Sequence, residues 1–469
     1  MKLYTLKQTI SASLLSVFLW LSPSLHGATV GIDEVGRSLF VRGAVSVQSE
    51  DGRSRLLEKH SSIFEHERIV SGSKSFTILE MNDGTRITLR PDTEFVVDKY
   101  EWKASEGKGE ANYKLLKGGM RALTGLMGKN NPDASTVTTP FATMGIRGTE
   151  YDARICEQDC AEEMAAFSED QKATPTSLVV GRVAMIKGEV KVKDIQLKER
   201  LLDKGGPIYL GDTLVTADKA FVVVVFRDDT RLTLRPSSEV VLKDYFLGQE
   251  GGAGKGRYVT ELLKGGLRSL TGNIGKQNPD GFKVVTSSAT MGIRGTGFDV
   301  YYKNPTWVNV WSGAIDFEYK DGSLLVGHCE QSAAASTGGC NIVEYDGSQA
   351  PEYLKELPEF MRWPSDTRPD HVQFDGLNLT MFDAREHDFS TPGLYVTTYD
   401  GHVRVKEINT GAYEALFSIG GITYRLKKIP PFQWNDPYPK PGEFNDRLFE
   451  LFGLFGTSGG GGAKQCEVQ

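Results

Sequence analysis

The sequence ATMGIRGT occupies Ala142–Thr149 and occurs again, unchanged, at Ala289–Thr296. An identity of this length within one chain is far outside chance, so it marks two copies of one structural unit. The likeness continues upstream at the same spacing, where Leu115–Gly125 is nearly identical to Leu262–Gly272. The repeat therefore predicts a tandem duplication before any local element is assigned.

Two further blocks extend the repeat on either side of this segment. The sequence GKNNPD at Gly128–Asp133 corresponds to GKQNPD at Gly275–Asp280. Further upstream, Asp83–Pro91 corresponds to Asp228–Pro236, with a shift of two residues in the spacing. The duplication therefore covers whole domains and not a single motif.

Short β-rich runs separated by turn residues fill both copies. Phe221–Phe226 (FVVVVF) is a continuous apolar strand, and Arg86–Arg90 alternates polar and apolar residues as a half-buried strand does. Asp83-Gly84 supplies a tight turn, and Pro91 ends the following strand because proline cannot donate to a ladder. This pattern predicts an all-β fold, with two tandem β units that are solenoid-like or sandwich-like and a β-rich C-terminal extension.

The composition and the repeat together divide the chain of 469 residues into six parts. Gly393–Val405 weakly echoes the apolar-Gly-apolar layout of Val308–Phe317, which is typical of the strand pair that closes a unit. The predicted parts are a signal peptide (1–28), unit one (36–154), unit two (181–320), an insertion or linker with a candidate disulfide (321–392), a β-rich C-terminal region (393–455) and a Gly-rich flexible tail (456–469).

The N-terminus has the pattern of a secretory signal. Lys2 and Lys7 precede an apolar run from Ile10 to Leu21, and small residues follow before Ala28. The alternative is a membrane anchor, but the run is about a dozen residues and a spanning helix needs roughly 20. We therefore expect cleavage and a periplasmic or secreted mature chain that contains no transmembrane segment.

Charge and cysteine usage narrow the class of partner. The formal net charge of −7 becomes −9 when Lys2 and Lys7 leave with the signal, which argues against nucleic acid as a partner. Five cysteines fit an oxidising compartment. The candidate disulfides pair Cys156 with Cys160 and Cys329 with Cys340, although four cysteines allow three connectivities.

No motif predicts a metal, a cofactor or a catalytic centre. Only His328 lies next to a cysteine, and His371, Asp375, Asp383 and His387 have a spacing that matches no known ligand set. The Gly-rich run 251–256 lacks the residues of a phosphate-binding loop. Acids recur in both units, as Asp83 and Asp228 do, but they lie at turns and strand ends, where acids have ordinary structural uses. The sequence therefore predicts a non-enzymatic protein.

The repeated arginines Arg147 and Arg294 are the candidate functional residues. One interpretation makes each guanidinium a contact with an anionic group or a partner protein, because guanidinium binds carboxylates in a bidentate manner. The other makes the Arg-Gly step a bend, with the arginine held by a nearby carboxylate or carbonyl. We favour the structural interpretation.

The ordered motifs resemble a known family. A strand pair with a central glycine, GDTLVT at Gly211–Thr216, Leu-Arg-Pro, LLKGGLR and ATMGIRGT resemble the FecR domain, a periplasmic module of iron-dicitrate-type signalling regulators. Unit two matches throughout, whereas unit one has HERIVS at His66–Ser71 in place of the Gly-Asp-Thr step. The resemblance implies an all-β fold and a location in the bacterial envelope.

Regulators of that family carry a cytoplasmic anti-sigma segment before a membrane helix, and this chain has only a signal peptide there. It looks more like an exported, stand-alone FecR-domain protein. We therefore expect a binding or scaffold module, with a link to envelope signalling and with an envelope protein or polysaccharide as partner. The alternative is a carbohydrate-binding or carbohydrate-active β-protein of the cell surface.

Overall fold

The structure is a computed structural model. It describes residues 33–131, 134–175, 177–248, 255–303, 306–319, 322–327, 332–336, 339–343 and 381–441. Strands dominate these residues, so the all-β prediction is confirmed. The predicted signal peptide and Gly-rich tail lie outside the described residues. Within the described residues, no helix combines the length and the hydrophobicity needed to cross a bilayer.

Unit one begins with twelve strands, and its turns follow the sequence signals closely. The Asp83-Gly84 turn joins β6 to β7, and the polar segment 104–107 joins β8 to β9 as a hairpin. The strands are β1 (Glu34–Arg42), β2 (Val45–Gln48), β3 (Ser54–Leu56), β4 (Ser62–Phe64), β5 (Arg68–Ser71), β6 (Phe76–Met81), β7 (Arg86–Leu89), β8 (Glu94–Lys103), β9 (Lys108–Lys117), β10 (Gly119–Leu123), β11 (Ser135–Thr138) and β12 (Thr143–Cys156).

Unit two repeats this order with one long strand, β21, in place of the pair β9 and β10. Its strands are β13 (Gly181–Lys187), β14 (Val190–Lys193), β15 (Glu199–Leu201), β16 (Pro207–Ile208), β17 (Thr213–Thr216), β18 (Phe221–Phe226), β19 (Arg231–Leu234), β20 (Glu239–Phe246), β21 (Arg257–Leu270), β22 (Phe282–Val285) and β23 (Ala289–Tyr302). The short helix α1 (Leu126–Asn130) of unit one recurs as α3 (Asn273–Gln277). Between the units lie α2 (Asp159–Ala166) and a 3₁₀ turn at Asp170–Lys172, and a second 3₁₀ turn spans Pro279–Gly281.

The remaining strands form two short series. The first is β24 (Thr306–Tyr319), β25 (Gly322–Gly327), β26 (Ser332–Ser336) and β27 (Gly339–Val343). The second is β28 (Ala384–Arg385), β29 (Gly393–Val405), β30 (Ile408–Asn409), β31 (Glu414–Ile419) and β32 (Ile422–Leu426), followed by helix α4 (Pro431–Trp434).

These two series complete different units. One sheet of 17 strands contains β1–β12 and β28–β32, and the other, of 15 strands, contains β13–β27. Strand β24 comes directly after β23 in the chain and pairs with it. Strand β29 pairs with β12, although more than two hundred residues separate the two strands in the chain. Unit two, with its own completing strands, is therefore inserted between the two parts of unit one.

The two completions have the same pairing pattern. Strand β24 pairs with β25 and β26, and β26 pairs with β27; likewise β29 pairs with β30 and β31, and β31 pairs with β32. The echo of Val308–Phe317 in Gly393–Val405 thus reflects equivalent strands. The first part of the segment predicted as an insertion or linker, 321–392, carries β25–β27 of the unit-two sheet.

A bulge marks the same place in both completing strands. The register of β12 against β29 shifts near Arg147, and that of β23 against β24 shifts near Arg294. Gly401 and Gly313 lie opposite these bulges with φ of +69° and +80°. A Cβ on Gly313 would lie 2.6 Å from the carbonyl oxygen of Gly295, so both the positive φ and the close approach require glycine.

Each sheet surrounds its own apolar core. In unit two, Val222 and Val224 face this core, while Val223 and Val225 pack on the opposite side with Ala184 and Met381, which explains the continuous apolar strand. In unit one the core includes side chains from both parts of the chain. Those supplied by the C-terminal strands are Leu394, Val396, Val403, Val405 and Leu416.

Candidate functional site

The recurring acids at the turns are parts of the fold. The carboxylate of Asp83 accepts hydrogen bonds from the Thr85 backbone N–H at 3.1 Å, the Thr85 hydroxyl at 2.9 Å and the Tyr100 hydroxyl at 3.0 Å. Asp228 accepts the hydroxyl of Tyr245 at 3.3 Å in the same arrangement, and burial raises the pKa of Asp228 above its ordinary value. Both side chains are buried and each fixes a turn.

A second repeated pair was not found by sequence reasoning. Arg121 donates to the two carboxylate oxygens of Asp152 at 2.6 and 2.7 Å, and Arg268 donates to Asp299 at 2.6 and 3.2 Å. All four side chains are buried. The available signal was that each arginine precedes its aspartate by the same distance in the two units. These pairs join β10 to β12 in unit one and β21 to β23 in unit two.

The completing strands add a donor to each pair. The hydroxyl of Tyr399 on β29 donates to Asp152 at 2.8 Å, and the indole N–H of Trp311 on β24 lies 3.4 Å from Asp299. The buried ion pairs are therefore tied to the strand that closes the unit, by a different aromatic donor in each unit.

Arg147, the first of the predicted site residues, lies between the two units. Its guanidinium forms an ion pair with Asp203, which belongs to the loop between β15 and β16 of unit two. The Nε2 atom of His402, on β29, lies 3.1 Å from the other oxygen of Asp203. We call Arg147, Asp203 and His402 the junction, because the three residues come from unit one, unit two and the C-terminal strands.

Burial and neighbouring charges together set the pKa values of the junction. It lowers the pKa of His402 below its ordinary 6.5, against the opposing effect of Asp203, and the positive charges of Arg147 and Arg200 lower that pKa further. For Asp203, burial raises the pKa, but the nearby His402 and Arg147 outweigh burial, so the carboxyl pKa lies below its ordinary value. A neutral His402 beside an ionised Asp203 and a charged Arg147 is the state that this arrangement favours.

Further ties hold the C-terminal strands to unit two. Arg182, fully buried, forms an ion pair with Glu414, which also accepts the Ser177 hydroxyl at 3.0 Å and the Gly411 N–H at 2.9 Å. Arg182 and other arginines offset the effect of burial on Glu414, so its carboxyl pKa lies below the ordinary value. The hydroxyl of Tyr209 accepts a hydrogen bond from the Ala412 N–H at 2.7 Å.

Arg294 has the same place in unit two but a different neighbourhood. It pairs with Ala314 of β24, whereas Arg147 pairs with His402 of β29. The adjacent Gly295 is exposed, and a Cβ placed on it would meet no atom within 4 Å. The position of the Arg294 side chain is outside what the structure describes.

An exposed apolar surface lies at the end of unit two. In the turn between β14 and β15, Ile195 and Leu197 are each 78% exposed, and Leu210 is 49% exposed. Ile195 lies beside Gly211, the neighbour of Leu210, so this turn is next to the segment that carries Leu210. We call these three residues the apolar tip. The corresponding turn of unit one contains Glu50 and Asp51.

A polar cleft of about 620 Å³ lies between unit one, α2 and the C-terminal segment. Arg90 and Arg154 line this cleft, where Arg90 donates to Glu163 at 2.8 Å and Arg154 donates to Asp159 at 2.5 Å. Arg90 also lies 3.3 Å from Asp436. The arginines of the cleft are thus balanced by acids of α2 and of the C-terminal segment.

The structure joins Cys156 and Cys160 by a disulfide with Cα atoms 5.5 Å apart, which ties β12 to α2. Cys340 is part of β27, but its side chain and Cys329 lie outside the described residues, so that pairing stays a prediction. Among the described residues, no group of three potential ligand side chains could hold a metal ion. His387 is hydrogen-bonded at both ring nitrogens, to the hydroxyls of Tyr395 and Tyr424 at 2.8 Å each.

The comparison with protein families identifies the repeated domain. The family model described as "FecR protein" matches residues 67–184 and again residues 212–316, so the resemblance seen in the motifs is confirmed as two FecR copies. Both matches begin at an acid, Glu67 or Asp212, that accepts a backbone N–H three residues earlier. The second match extends into β24, whereas the equivalent strand of unit one, β29, lies outside the first match.

Solved structures give only distant similarity. A protein of Parabacteroides distasonis ATCC 8503, provisionally described as an anti-sigma factor, aligns in two crystal structures at 15% identity with TM-scores of 0.23 and 0.24. Each alignment covers 29% of this chain and 60% of the other. A structure described as a cell surface anchoring domain aligns at 27% identity and a TM-score of 0.13 over 13% of this chain and 82% of its own. No curated protein matches the chain.

Proposed function

From two FecR domains in one chain, we propose that this protein is an exported, non-enzymatic binding or scaffold module of the bacterial envelope, linked to envelope signalling. The mature chain is periplasmic or secreted and binds an envelope protein through the apolar tip of unit two. The single observation that carries this proposal is the contrast between the two units: Ile195 and Leu197 are exposed where unit one has Glu50 and an Asp-Gly turn.

A grouped, exposed apolar surface points to a protein partner. Water-exposed isoleucine and leucine side chains gain free energy when a partner covers them, at about 25 cal/mol per Å² of apolar area. The contrast with unit one excludes a purely structural requirement of the fold, since the equivalent turn folds with charged residues. The apolar tip is therefore a feature added to unit two.

Further support for a non-enzymatic role comes from the way the repeated acids are used. Asp83 and Asp228 fix turns, and Asp152 and Asp299 neutralise buried arginines. Acids committed in this way are poor candidates for general acid-base catalysis, because protonation changes would break the contacts that hold the unit. The same arrangement in both units argues for maintenance of the fold.

Affinity capture with matched variants tests the proposal. The mature protein is immobilised, and envelope extract is passed over wild type, the double variant I195E/L197E and the control E50K, which changes the equivalent turn of unit one. We expect I195E/L197E to bind the partner at least about tenfold more weakly, which corresponds to about 1.4 kcal/mol of binding free energy. E50K should capture the partner as wild type does. Equal capture by I195E/L197E would contradict the assignment.

The same capture experiment also tests the carbohydrate alternative, by measuring whether envelope polysaccharide is retained. Glycan sites usually present grouped aromatic rings, and among the described residues Trp434, 37% exposed, is the one aromatic in the set of exposed large apolar side chains. Retention of envelope polysaccharide that is lost in W434A would favour the alternative. Release of sugar products by the purified protein would overturn the non-enzymatic role.

A further inference from the structure

Two arginines lie side by side in the polar cleft of unit one. A Cβ added to Gly119 would lie 3.0 Å from the Cδ atom of Arg90 and 2.9 Å from that of Arg154, so both side chains flank this glycine. Their side chains are only 6% and 10% exposed. Burial and the charge of Arg90 lower the pKa of Arg154 below its ordinary value, although acids lie nearby. The positive charge of Arg154 is therefore incompletely stabilised by its neighbours.

Unit two shows that the fold does not require the second arginine. The strand pairing makes Tyr301 the counterpart of Arg154. The guanidinium of Arg235, which is the counterpart of Arg90, lies over the ring of Tyr301 at 5.5 Å from its centroid. One arginine and one tyrosine thus occupy this place in unit two, and the pair of arginines is specific to unit one.

The edge of the Arg154 guanidinium formed by Nε and Nη2 is only half used. Nη2 donates to Asp159 of α2 at 2.5 Å, whereas Nε is buried and has no hydrogen-bond partner within the described part of the chain. Arg121 shows the complete arrangement, because its Nε and Nη2 donate to the two carboxylate oxygens of Asp152 at 2.6 and 2.7 Å. A carboxylate bound to Arg154 in the same way would satisfy both donors.

Asp159 is the group that such a carboxylate would replace. Its side chain is 48% exposed, so water screens its ion pair with Arg154, and its release into solvent costs little. Its second oxygen accepts only the backbone N–H of Glu157, in an exposed hydrogen bond. Glu163 remains bound to Arg90 at 2.8 Å. The exchange therefore keeps the number of negative groups that contact the buried arginines unchanged.

We propose that the polar cleft binds a small organic carboxylate, which displaces Asp159 and accepts hydrogen bonds from Nε and Nη2 of Arg154. The volume of the cleft, about 620 Å³, is in the range of pockets that hold small molecules. Lys117 lines the cleft and is exposed, so it is available to a second carboxylate of the ligand. Asp92 and Glu157 also line the cleft, but they are exposed, and water screens their repulsion of the ligand.

This site goes beyond the proposed function, since it uses neither the apolar tip nor a protein partner. Calorimetric titration of the full mature chain tests it with succinate, which carries two carboxylates, and with succinamide, its neutral counterpart of similar shape. We expect succinate to bind and succinamide not to bind. Asp159→Asn should strengthen succinate binding, because it removes the competing carboxylate and keeps the shape of the side chain.

Arg154→Tyr gives unit one the residue that unit two has at this place, so the sheet should fold. We expect it to weaken succinate binding by at least about tenfold. The matched control is Arg53→Gln, which removes an exposed arginine of the same unit and should bind succinate as wild type does.

Three results would overturn the proposal. They are equal binding of succinamide and succinate, wild-type affinity in a folded R154Y, and no succinate binding to either wild type or D159N. If R154Y does not fold, the comparison of wild type with D159N and of succinate with succinamide decides by itself.

Discussion

Unit one and unit two build the same sheet from different lengths of chain. The sheet of unit two is completed by β24, which follows β23 after a short connection. The sheet of unit one is completed by β29, which comes after the whole of unit two. The pairing, the bulge and the buried arginine-aspartate pair are nevertheless the same. The comparison teaches that the strand that closes this FecR-type core can come from the next segment of the chain or from a distant one.

The largest effect is expected when the C-terminal strands that complete unit one are removed. A chain ending at residue 380 retains β13–β27 but loses β29, whose Leu394, Val396, Val403 and Val405 are buried in the unit-one core. Burial of several aliphatic side chains, each contributing about 1.5–3 kcal/mol, is together comparable to the usual free energy of unfolding of a domain. We expect amide hydrogen exchange to show that unit one is unprotected and unit two remains protected.

The matched control for this truncation is a chain ending at residue 441, which keeps every described strand. It should retain protection in both units. Protection of unit one in the shorter chain would show that β12 can end the sheet by itself, and the two units would then differ in their need for closure.

A smaller effect is expected where the completing strands meet unit two. Glu414→Gln removes the charge that compensates buried Arg182, while Arg227 and Arg425 lie 3.6 and 4.0 Å away. Breaking a buried ion pair in this way costs about 3–5 kcal/mol, because an uncompensated charge stays buried. The urea midpoint, followed by tryptophan fluorescence, should fall accordingly.

Arg37 is the counterpart of Arg182 in unit one and is exposed. Arg37→Gln should therefore change the free energy of unfolding by no more than about 0.5 kcal/mol. Similar midpoints for the two variants would mean that Glu414 does not distinguish the units.

The smallest expected effect concerns pH at the junction. His402 of β29 and Ala314 of β24 are at equivalent positions, so His402→Ala places in unit one the residue that unit two already has. Because burial holds the pKa of His402 below 6.5, the unfolded state binds the extra proton, and stability falls as the pH drops below 6.5. Between pH 6.5 and about 5, the free energy of unfolding should fall more steeply in wild type than in H402A. The difference in slope should be up to about 1.4 kcal/mol per pH unit.

Urea titrations of wild type and H402A at several pH values measure this difference. His387, whose pKa burial also lowers, titrates in both proteins and cancels in the comparison. Asp203 has a pKa below its ordinary 3.8 and so affects stability only at lower pH. Parallel pH profiles would show that folding does not lower the pKa of His402.

The family and the all-β class were predictable because an internal repeat is visible without any knowledge of contacts. ATMGIRGT and its neighbours define two equivalent sets of strands, and the Asp-Gly and Pro signals mark the turns between them. The insertion of one unit within the other was not predictable in the same way. Its only sequence sign was the weak echo between Val308–Phe317 and Gly393–Val405, since long-range strand pairing leaves no local pattern.

The surroundings of the repeated arginines were beyond sequence reasoning for a physical reason. Arg147 and Arg294 lie in identical octapeptides, so no local property can distinguish them. What differs is the tertiary neighbour, Asp203 and His402 for Arg147, and these come from two other regions of the chain. The apolar tip, in contrast, could have been found by comparing the equivalent turns of the two units.

The nested connectivity has a consequence for biogenesis. Residues 34–156 leave the ribosome before unit two, but their sheet cannot close until residues 393–405 have followed. We therefore expect unit two to fold first, while β12 stays an unpaired edge that can bind strands of other chains. The unit whose synthesis begins earlier is therefore completed later, and its edge stays exposed for as long as the enclosed unit takes to be synthesised.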